Sequence, residues 1–439
     1  MEEKKIKIAI VGFGVVGSGV AKILLEKAQY LYHKTGLMIE LAHVVDTDTQ
    51  RPRKVTLPTG ILHSDLDKVI NDPEVSIVVE LIGGTTIAAD IQMKLLAAGK
   101  HVVTANKSLL AERGQEIFAV ARENNRCVAF GASCCGGVPI ISAIRTGLAA
   151  NEIKMIIGIV NGTCNFILSN MDHEGKEYSV ALKEAQVAGF AEADPTLDVS
   201  GYDSAHKLAI MASLALGKKI CIDDVSVEGI DNVNLEDILF GKDMGYAMKL
   251  LAIATQSERG LSLRVHPAFI PRTELLAQVT GPFNAVSVFG DAVGHTSYYG
   301  RGAGMMATAS SVVADIIDVA NGNSVTLFDS MPGLGRDTED AVICPHDEVV
   351  SRYYIHVTGE NHPGVFAGIV NILAQRKINI SSCMQHENGQ SDLIPVVITT
   401  YEARLGDIEQ ALSDIEKLDF VHGKPVCIQL ITMPSEENC

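Results

Sequence analysis

The sequence predicts an α/β protein in three parts. A doubly wound parallel sheet comes first, a second α+β domain follows, and a βαββαβ sandwich of the ferredoxin-like type closes the chain. Three observations carry this reading. Strand-like apolar runs alternate with helical patterns over the first 135 residues, as parallel βαβ units require. A glycine-rich turn joins the first strand to the first helix. From residue 353 onward the rhythm changes to strand, helix, two strands, helix, strand. The 439 residues also exceed what one core of about 250–300 residues sustains.

The first five strands read as Ile6–Val11, Ile39–Val45, Ile77–Leu81, His101–Thr104 and Cys127–Phe130, with helices such as Val16–Leu31 and Thr86–Ala98 between them. Residues 1–135 form this first domain. Residues 136–302 mix helices (Val138–Ala149, Val180–Gly189, Asp203–Leu216) with strands (Leu261–Pro267, Asn284–Gly290). Ala303–Ala320 has a clean helical period and is expected to return to the first domain. Residues 321–352 lack periodicity and read as a linker. The terminal module spans 353–435. Its strands are Tyr353–Val357, Ile378–Met384, Leu393–Thr399 and Pro425–Ile431. Its helices are Val365–Ala374, with Pro363 in the first turn, and Ile408–Leu418.

Composition excludes several classes. Lys+Arg total 36 and Asp+Glu 53, so 36 − 53 gives −17. Such an acidic surface repels phosphate backbones, and no nucleic-acid partner is expected. Nine scattered cysteines without CxxC spacing suit free thiols in a reducing cytoplasm rather than zinc or a disulfide framework. Glu2 and Glu3 spoil an export signal, and no long uninterrupted apolar run suggests a membrane span.

The turn Gly12-Phe13-Gly14-Val15-Val16-Gly17 follows a strand and opens a helix. The first glycine permits the tight turn, the second lets a pyrophosphate approach the backbone, and the third lets helix and strand pack. The helix N-terminus then faces the phosphates. A Rossmann-type dinucleotide site follows from that context. Asp46 ends the second strand, where an acid accepts from a ribose 2′-OH and repels a 2′-phosphate, so NAD is favoured over NADP. Arg51, Arg53 and Lys54 follow and could reach such a phosphate.

Three further segments accompany the strand-end loop Thr104-Ala105-Asn106-Lys107. They are Gly158–Leu168, containing Asn161-Gly162-Thr163; Ala191–Leu208, containing Glu192, Asp198, Asp203 and Lys207; and Gly300–Asp315, containing Gly302. Together they resemble homoserine dehydrogenases in order from about residue 6 to 320, and the terminal module resembles an ACT domain. The resemblance implies reversible NAD(P)-dependent oxidation of L-homoserine to L-aspartate 4-semialdehyde in threonine and methionine biosynthesis. It implies Lys207, Lys107 and Asp203 as catalytic residues, and Glu192 and Asp198 as partners of the substrate ammonium. Asn161, Gly162 and Thr163 would lie beside substrate and nicotinamide. Thr104, Lys107 and Gly302 would meet the cofactor. Either lysine could accept the hydroxyl proton, given a pKa well below about 10.4.

The same resemblance implies an effector loop at Asn361, His362, Gly364 and Val365, with L-threonine as effector, and a homodimer or homotetramer. It also implies a monovalent-cation site, for sodium, built from the carbonyls of Gly131, Cys134, Gly136 and Val138. In the family an aromatic residue is often followed there by Glu; here Gly131 follows Phe130, so the side-chain charge is missing. Buried packing, not nucleophilic chemistry, is the reading for Cys134-Cys135. Two other readings stand beside the main one: another NAD(P)-dependent amino-acid or hydroxy-acid dehydrogenase, and a non-catalytic ACT sensor.

Overall fold

The computed structural model describes residues 4–331, 339–385 and 392–434. Residues 1–3, part of the expected linker (332–338) and residue 435, the expected end of the terminal module, lie outside the described residues.

The N-terminal sheet has six parallel strands: β1 (Lys4–Val11), β2 (Leu37–Val45), β3 (Leu62–His63), β4 (Val75–Glu80), β5 (His101–Thr104) and β6 (Val128–Ala129). Their order is β3-β2-β1-β4-β5-β6. Helices cover both faces, so Ile8, Ile10 and Val78 are fully buried and the strands read as continuous apolar runs. Two-residue β3 carries no periodicity and escapes a sequence reading. The order reverses between β1 and β4, which opens a crevice at their carboxyl ends.

The expected helix Val16–Leu31 is two helices, Val15–Glu26 and Ala28–Thr35, broken at Lys27. The helix Met305–Ala320 packs on the first of these. A Cβ on Gly19 would lie 2.8 Å from the Met305 carbonyl, so the close crossing needs that glycine. Within the expected linker, Asn323–Ser330 forms a helix. Of the expected helix Val138–Ala149, only Ile140–Ser142 is α-helical before a π turn at Ala143–Gly147.

The second sheet gathers the remaining strands: β7 (Ile153–Ile159), β8 (Ser226–Val227), β9 (Tyr246–Ser257), β10 (Gly260–Pro271), β11 (Phe283–Gly290), β12 (Gly294–Arg301), β13 (Val350–Glu360), β14 (Ile380–Gln385), β15 (Leu393–Thr400), β16 (Ala403–Arg404) and β17 (Val426–Leu430). The main path is β12-β11-β7-β9-β10-β17-β13-β15-β14. The terminal module therefore does not stand apart. Its edge strand β17 pairs in parallel with β10, Ala268 opposite Gln429 and Phe269 opposite Leu430. Sequence periodicity cannot reveal this join, because edge pairing leaves the side-chain pattern unchanged.

The module keeps its own core of Tyr353, Ile355, Ile369, Leu373, Ile398 and Ile408 under the helices Val365–Gln375 and Leu405–Ile415. Gly364, at φ 104°, caps the first helix, so Pro363 precedes that helix rather than entering its first turn. Among the described residues, no helix is long and apolar enough to cross a membrane.

Candidate active site

The nucleotide turn is shaped by what glycine omits. Gly12 has φ 101°, and a Cβ there would lie 2.6 Å from the Leu81 backbone. A Cβ on Gly17 would lie 2.3 Å from the Gly12 carbonyl, whereas one on Gly14 would meet nothing within 4 Å. The open side at Gly14 fits a pyrophosphate. The helix Val15–Glu26 has no side-chain cap, so its first-turn N–H groups face that space. The Phe13 ring is 2 % exposed and packs inward, away from the open side of the turn.

Asp46 does not stand alone at the ribose end. Its carboxylate accepts from the N–H of Phe13 at 2.7 Å and of Asp48 at 2.9 Å. Nη2 of Arg53 lies 3.4 Å away. Arg53 is anchored there, its Nε donating to the Phe13 carbonyl at 3.2 Å and its guanidinium lying over the Phe13 ring. A fixed cation thus accompanies the acid that the sequence reading used for cofactor choice.

At the crevice, Glu80 ends β4 fully buried. It accepts from Gln92 Nε2 at 2.7 Å, Thr104 Oγ1 at 2.9 Å and the Ile82 N–H at 2.6 Å. Thr104 is itself fully buried, so it braces the loop instead of facing the cofactor as expected. Its Oγ1 also accepts from the Asn106 N–H at 3.1 Å, and the Asn106 side chain caps the helix Lys107–Glu123. These bonds aim Lys107 into the cleft. Sequence reading missed Glu80, whose signal is an acid closing an otherwise apolar strand.

The cleft, about 690 Å³, runs from Val16 of the nucleotide turn to Glu192 and Asp198 of the second domain. Asp203, 5 % exposed, is its electrostatic centre. Oδ2 accepts from Lys207 Nζ at 2.6 Å and Asn161 Nδ2 at 2.7 Å, while Lys107 Nζ lies 3.2 Å from Oδ1. Asp203 and Lys207 stand one turn apart on the helix Tyr202–Leu216, as their i, i+4 spacing requires. Burial alone raises Asp203, but the two lysines and these hydrogen bonds outweigh it and hold the carboxyl down at about 2.

Lys207 is buried and also donates to the Val160 carbonyl at 2.6 Å. Burial pulls its pKa down, yet Asp203 overcomes that pull and the net shift is upward. The expected depression of Lys207 is therefore not what its surroundings produce. Asp198, raised by burial and by Asp203, accepts from Asn161 Nδ2 at 2.8 Å. Asn161 in turn caps the helix Gly162–Glu174 by accepting from the Cys164 N–H at 2.8 Å. Gly162 passes so near Pro282 that a Cβ would lie 2.7 Å from its carbonyl. Thr163 Oγ1 donates to the Phe190 carbonyl at 2.7 Å.

Asn284 was missed by sequence. It is 1 % exposed, lines the cleft and donates to the Val160 carbonyl at 2.9 Å. A Cβ on Gly302 would fall 2.1 Å from the Asn284 amide, so Gly302 makes room for that side chain as well as bordering the cleft. Cys134 and Cys135 are buried, and burial pushes the Cys134 thiol up to about 12, far from a nucleophile.

Two of the four carbonyls expected at a cation site carry a hydrogen bond. The Gly136 carbonyl accepts from Ser311 Oγ and that of Val138 from the Ile140 N–H at 2.8 Å. A Cβ at Gly131 would lie 2.7 Å from Asp315 Oδ1, so the Asp315 carboxylate occupies the place of a longer side chain. Among the described residues, no cluster of three His, Cys, Asp or Glu could hold a metal ion. In the expected effector loop, Asn361, His362 and Gly364 are exposed, but Val365 is 1 % exposed and belongs to the module's core.

A dinucleotide turn opening into a cleft of paired lysines and carboxylates defines an NAD(P)-dependent oxidoreductase acting on CH–OH. Family models agree: "Homoserine dehydrogenase, NAD binding domain" matches residues 12–131, "Homoserine dehydrogenase" 139–317, and an "AHAS small subunit-like ACT domain" 355–422. The chain is 43 % identical to homoserine dehydrogenase of Pseudomonas aeruginosa over 97 % of this chain and 99 % of that one. With the Bacillus subtilis enzyme it shares 39 % identity over 94 % and 96 %. A solved homoserine dehydrogenase from Thiobacillus denitrificans superposes with a TM-score of 0.90 at 40 % identity, covering 98 % of each chain. The chain belongs to the homoserine dehydrogenase family, and the readings as another dehydrogenase or a non-catalytic sensor fall away.

Proposed function

We propose that Lys107 exchanges the proton of the substrate hydroxyl while Lys207 stays cationic. The observation that carries this is the unequal hold on the two amines. Lys207 Nζ is bound by two acceptors at 2.6 Å inside the protein. Lys107 Nζ has one carboxylate at 3.2 Å and a side chain 28 % exposed to the cleft. A buried, carboxylate-paired ammonium is a poor base. It is a good fixed positive charge against the alkoxide that develops as the proton leaves. Bound NAD or NADP supplies the hydride acceptor for homoserine and the donor for the semialdehyde.

Glu192 and Asp198 hold the substrate ammonium in this reading, and Asn161 fixes Asp198 and Asp203 relative to one another. Asn161, Gly162 and Thr163 border the reacting centre. NAD remains the favoured cofactor on the strength of Asp46, with NADP accepted in proportion to how far Arg53 neutralises it. L-threonine is the expected effector of the ACT module. A homodimer or homotetramer follows from the family. The free cysteines among the described residues fit a reducing cytoplasm. No step passes through a monovalent cation.

The test is Lys107→Ala beside Lys207→Ala, assayed in both directions across pH. Lys107→Ala should lower kcat by about 10²–10⁴-fold and abolish the alkaline rise in homoserine oxidation. Lys207→Ala should lower kcat but keep that rise. The reverse pattern assigns the proton to Lys207.

A further inference from the structure

Where the ACT module meets the second domain, several buried polar atoms have no hydrogen-bond partner. They are Nε and Nη1 of Arg264, Nε2 of His266, the hydroxyl of Tyr353 and Oε1 of Gln429. His266 is 4 % and Tyr353 1 % exposed. Leaving such groups unpaired is costly, and a guanidinium is the costliest of them. All four side chains line one cavity of about 720 Å³, as large as the catalytic cleft. It lies beside the join of β10 and β17, with the helix Leu405–Ile415 as its other wall. Glu228, Glu409 and Glu416 add carboxylates to the same cavity, with Glu409 paired to His346 at 2.9 Å, and Lys424 adds one cation, so the acids outnumber it. No ion pair closes between Glu228 and Arg264 among the described residues, although the Arg264 charge acts on the Glu228 carboxyl.

Arg264 is half-buried and acts on the Tyr353 hydroxyl, but its buried Nε and Nη1 have no partner. Two such donors on a guanidinium call for a carboxylate, and the facing acids call for an ammonium. Tyr353 and Gln429 offer neutral polar contacts between the two. We infer that this seam binds a small zwitterionic α-amino acid and that it, rather than the exposed loop at Asn361–Gly364, is the effector site. The inference rests on the reading of the ACT module as regulatory and places that regulation in the fold.

The seam has a short mechanical route to the catalytic carboxylates. β8 pairs with β10 at Arg264 and Val265. Directly after β8, the Glu228 N–H donates to the Val265 carbonyl at 2.7 Å, and the Ile230 N–H donates to the Val199 carbonyl at 2.8 Å. Val199 ends the short helix Thr196–Val199, which carries Asp198. Gly201, at φ 89°, precedes the helix of Asp203 and Lys207. A Cβ there would lie 3.0–3.2 Å from Val227, the Glu228 carbonyl and Val265. A ligand that draws Arg264 or Glu228 toward itself therefore pulls on a segment bonded to the Asp198 turn. That is a physical basis for coupling the two sites.

The experiment uses the full chain and the protein L-amino acids, L-threonine among them, at millimolar concentration. Thermal shift, calorimetric binding and inhibition are read for wild type, Arg264→Met, Tyr353→Phe and His362→Ala. At least one amino acid should shift and inhibit the wild type. That response should weaken at least about tenfold in Arg264→Met and Tyr353→Phe, and stay intact in His362→Ala. Basal kcat should not change in any of them. Arg264→Met should melt no lower than wild type without ligand, because it removes two buried donors that have no partner. Tyr353→Phe guards against a folding artefact by removing one oxygen. A full response in Arg264→Met, or its loss in His362→Ala, overturns the seam site and leaves regulation standing. A changed oligomer mass in Arg264→Met also overturns it, since a second copy then satisfies the guanidinium. Silence of the wild type toward every amino acid overturns the regulatory reading itself.

Discussion

Lys207 Nζ lies 2.6 Å from the Asp203 carboxylate, one helical turn away, with both side chains buried at the wall of the cleft. The pair sets both titrations. Lysine outweighs burial at Asp203, and carboxylate outweighs burial at Lys207.

Asp203→Asn should therefore release Lys207 to the effect of burial, and its pKa should fall below the ordinary lysine value. Stability should drop by about 3 kcal/mol at neutral pH, because two lysines lose their buried partner. The sign with pH follows from the depressed carboxyl. The wild-type advantage is full above about 4, the ordinary range, and is lost as pH falls toward the folded value of about 2. Denaturant melts of both proteins from neutral to acid pH check this. A constant difference across that range refutes it.

Asp315 has the opposite sign. Burial raises its carboxyl to about 7, against the pull of Arg145 and the N–H groups of Ala132 and Gly131. A raised acid stabilises the fold most below its ordinary pKa, and that contribution disappears as pH rises through the folded value. Asp315→Asn stays neutral throughout. Its melting temperature should gain on wild type by about 5 °C between pH 4 and 8. Parallel melting curves in the two buffers would exclude a raised Asp315.

Arg53 and Asp46 lie 3.4 Å apart beside the nucleotide turn, and in the proposed reading they set cofactor choice. Arg53→Ala should cut kcat/KM for NADP by about tenfold or more, the worth of one charge-assisted hydrogen bond. NAD should change little. Asp46→Ala should favour NADP. Initial rates at 340 nm with each dinucleotide decide it. An equal loss for both cofactors in Arg53→Ala would make the arginine a brace for Phe13 only.

Sequence alone determined much of this protein. The alternation of short strands and helices required the parallel sheet, because crossover helices bury both faces and leave apolar runs. The glycines at 12, 14 and 17 marked the nucleotide turn by their spacing between a strand and a helix; at Gly17 the excluding contact is the nearby Gly12 carbonyl, whereas at Gly12 it is the distant Leu81 backbone, which only the fold supplies. The spacing of Asp203 and Lys207 fixed their common face. These are local relations, decided by backbone geometry and period.

Tertiary structure decided the rest. It turned Thr104 inward onto Glu80, set Arg53 beside Asp46 and filled the space left by Gly131 with Asp315. It raised Lys207 where burial alone would have lowered it. It joined β17 to β10 and so made the polar seam around Arg264. Each depends on charges and atoms brought together from distant parts of the chain. Electrostatic energies and close packing follow distance in space, which periodicity along the sequence does not carry.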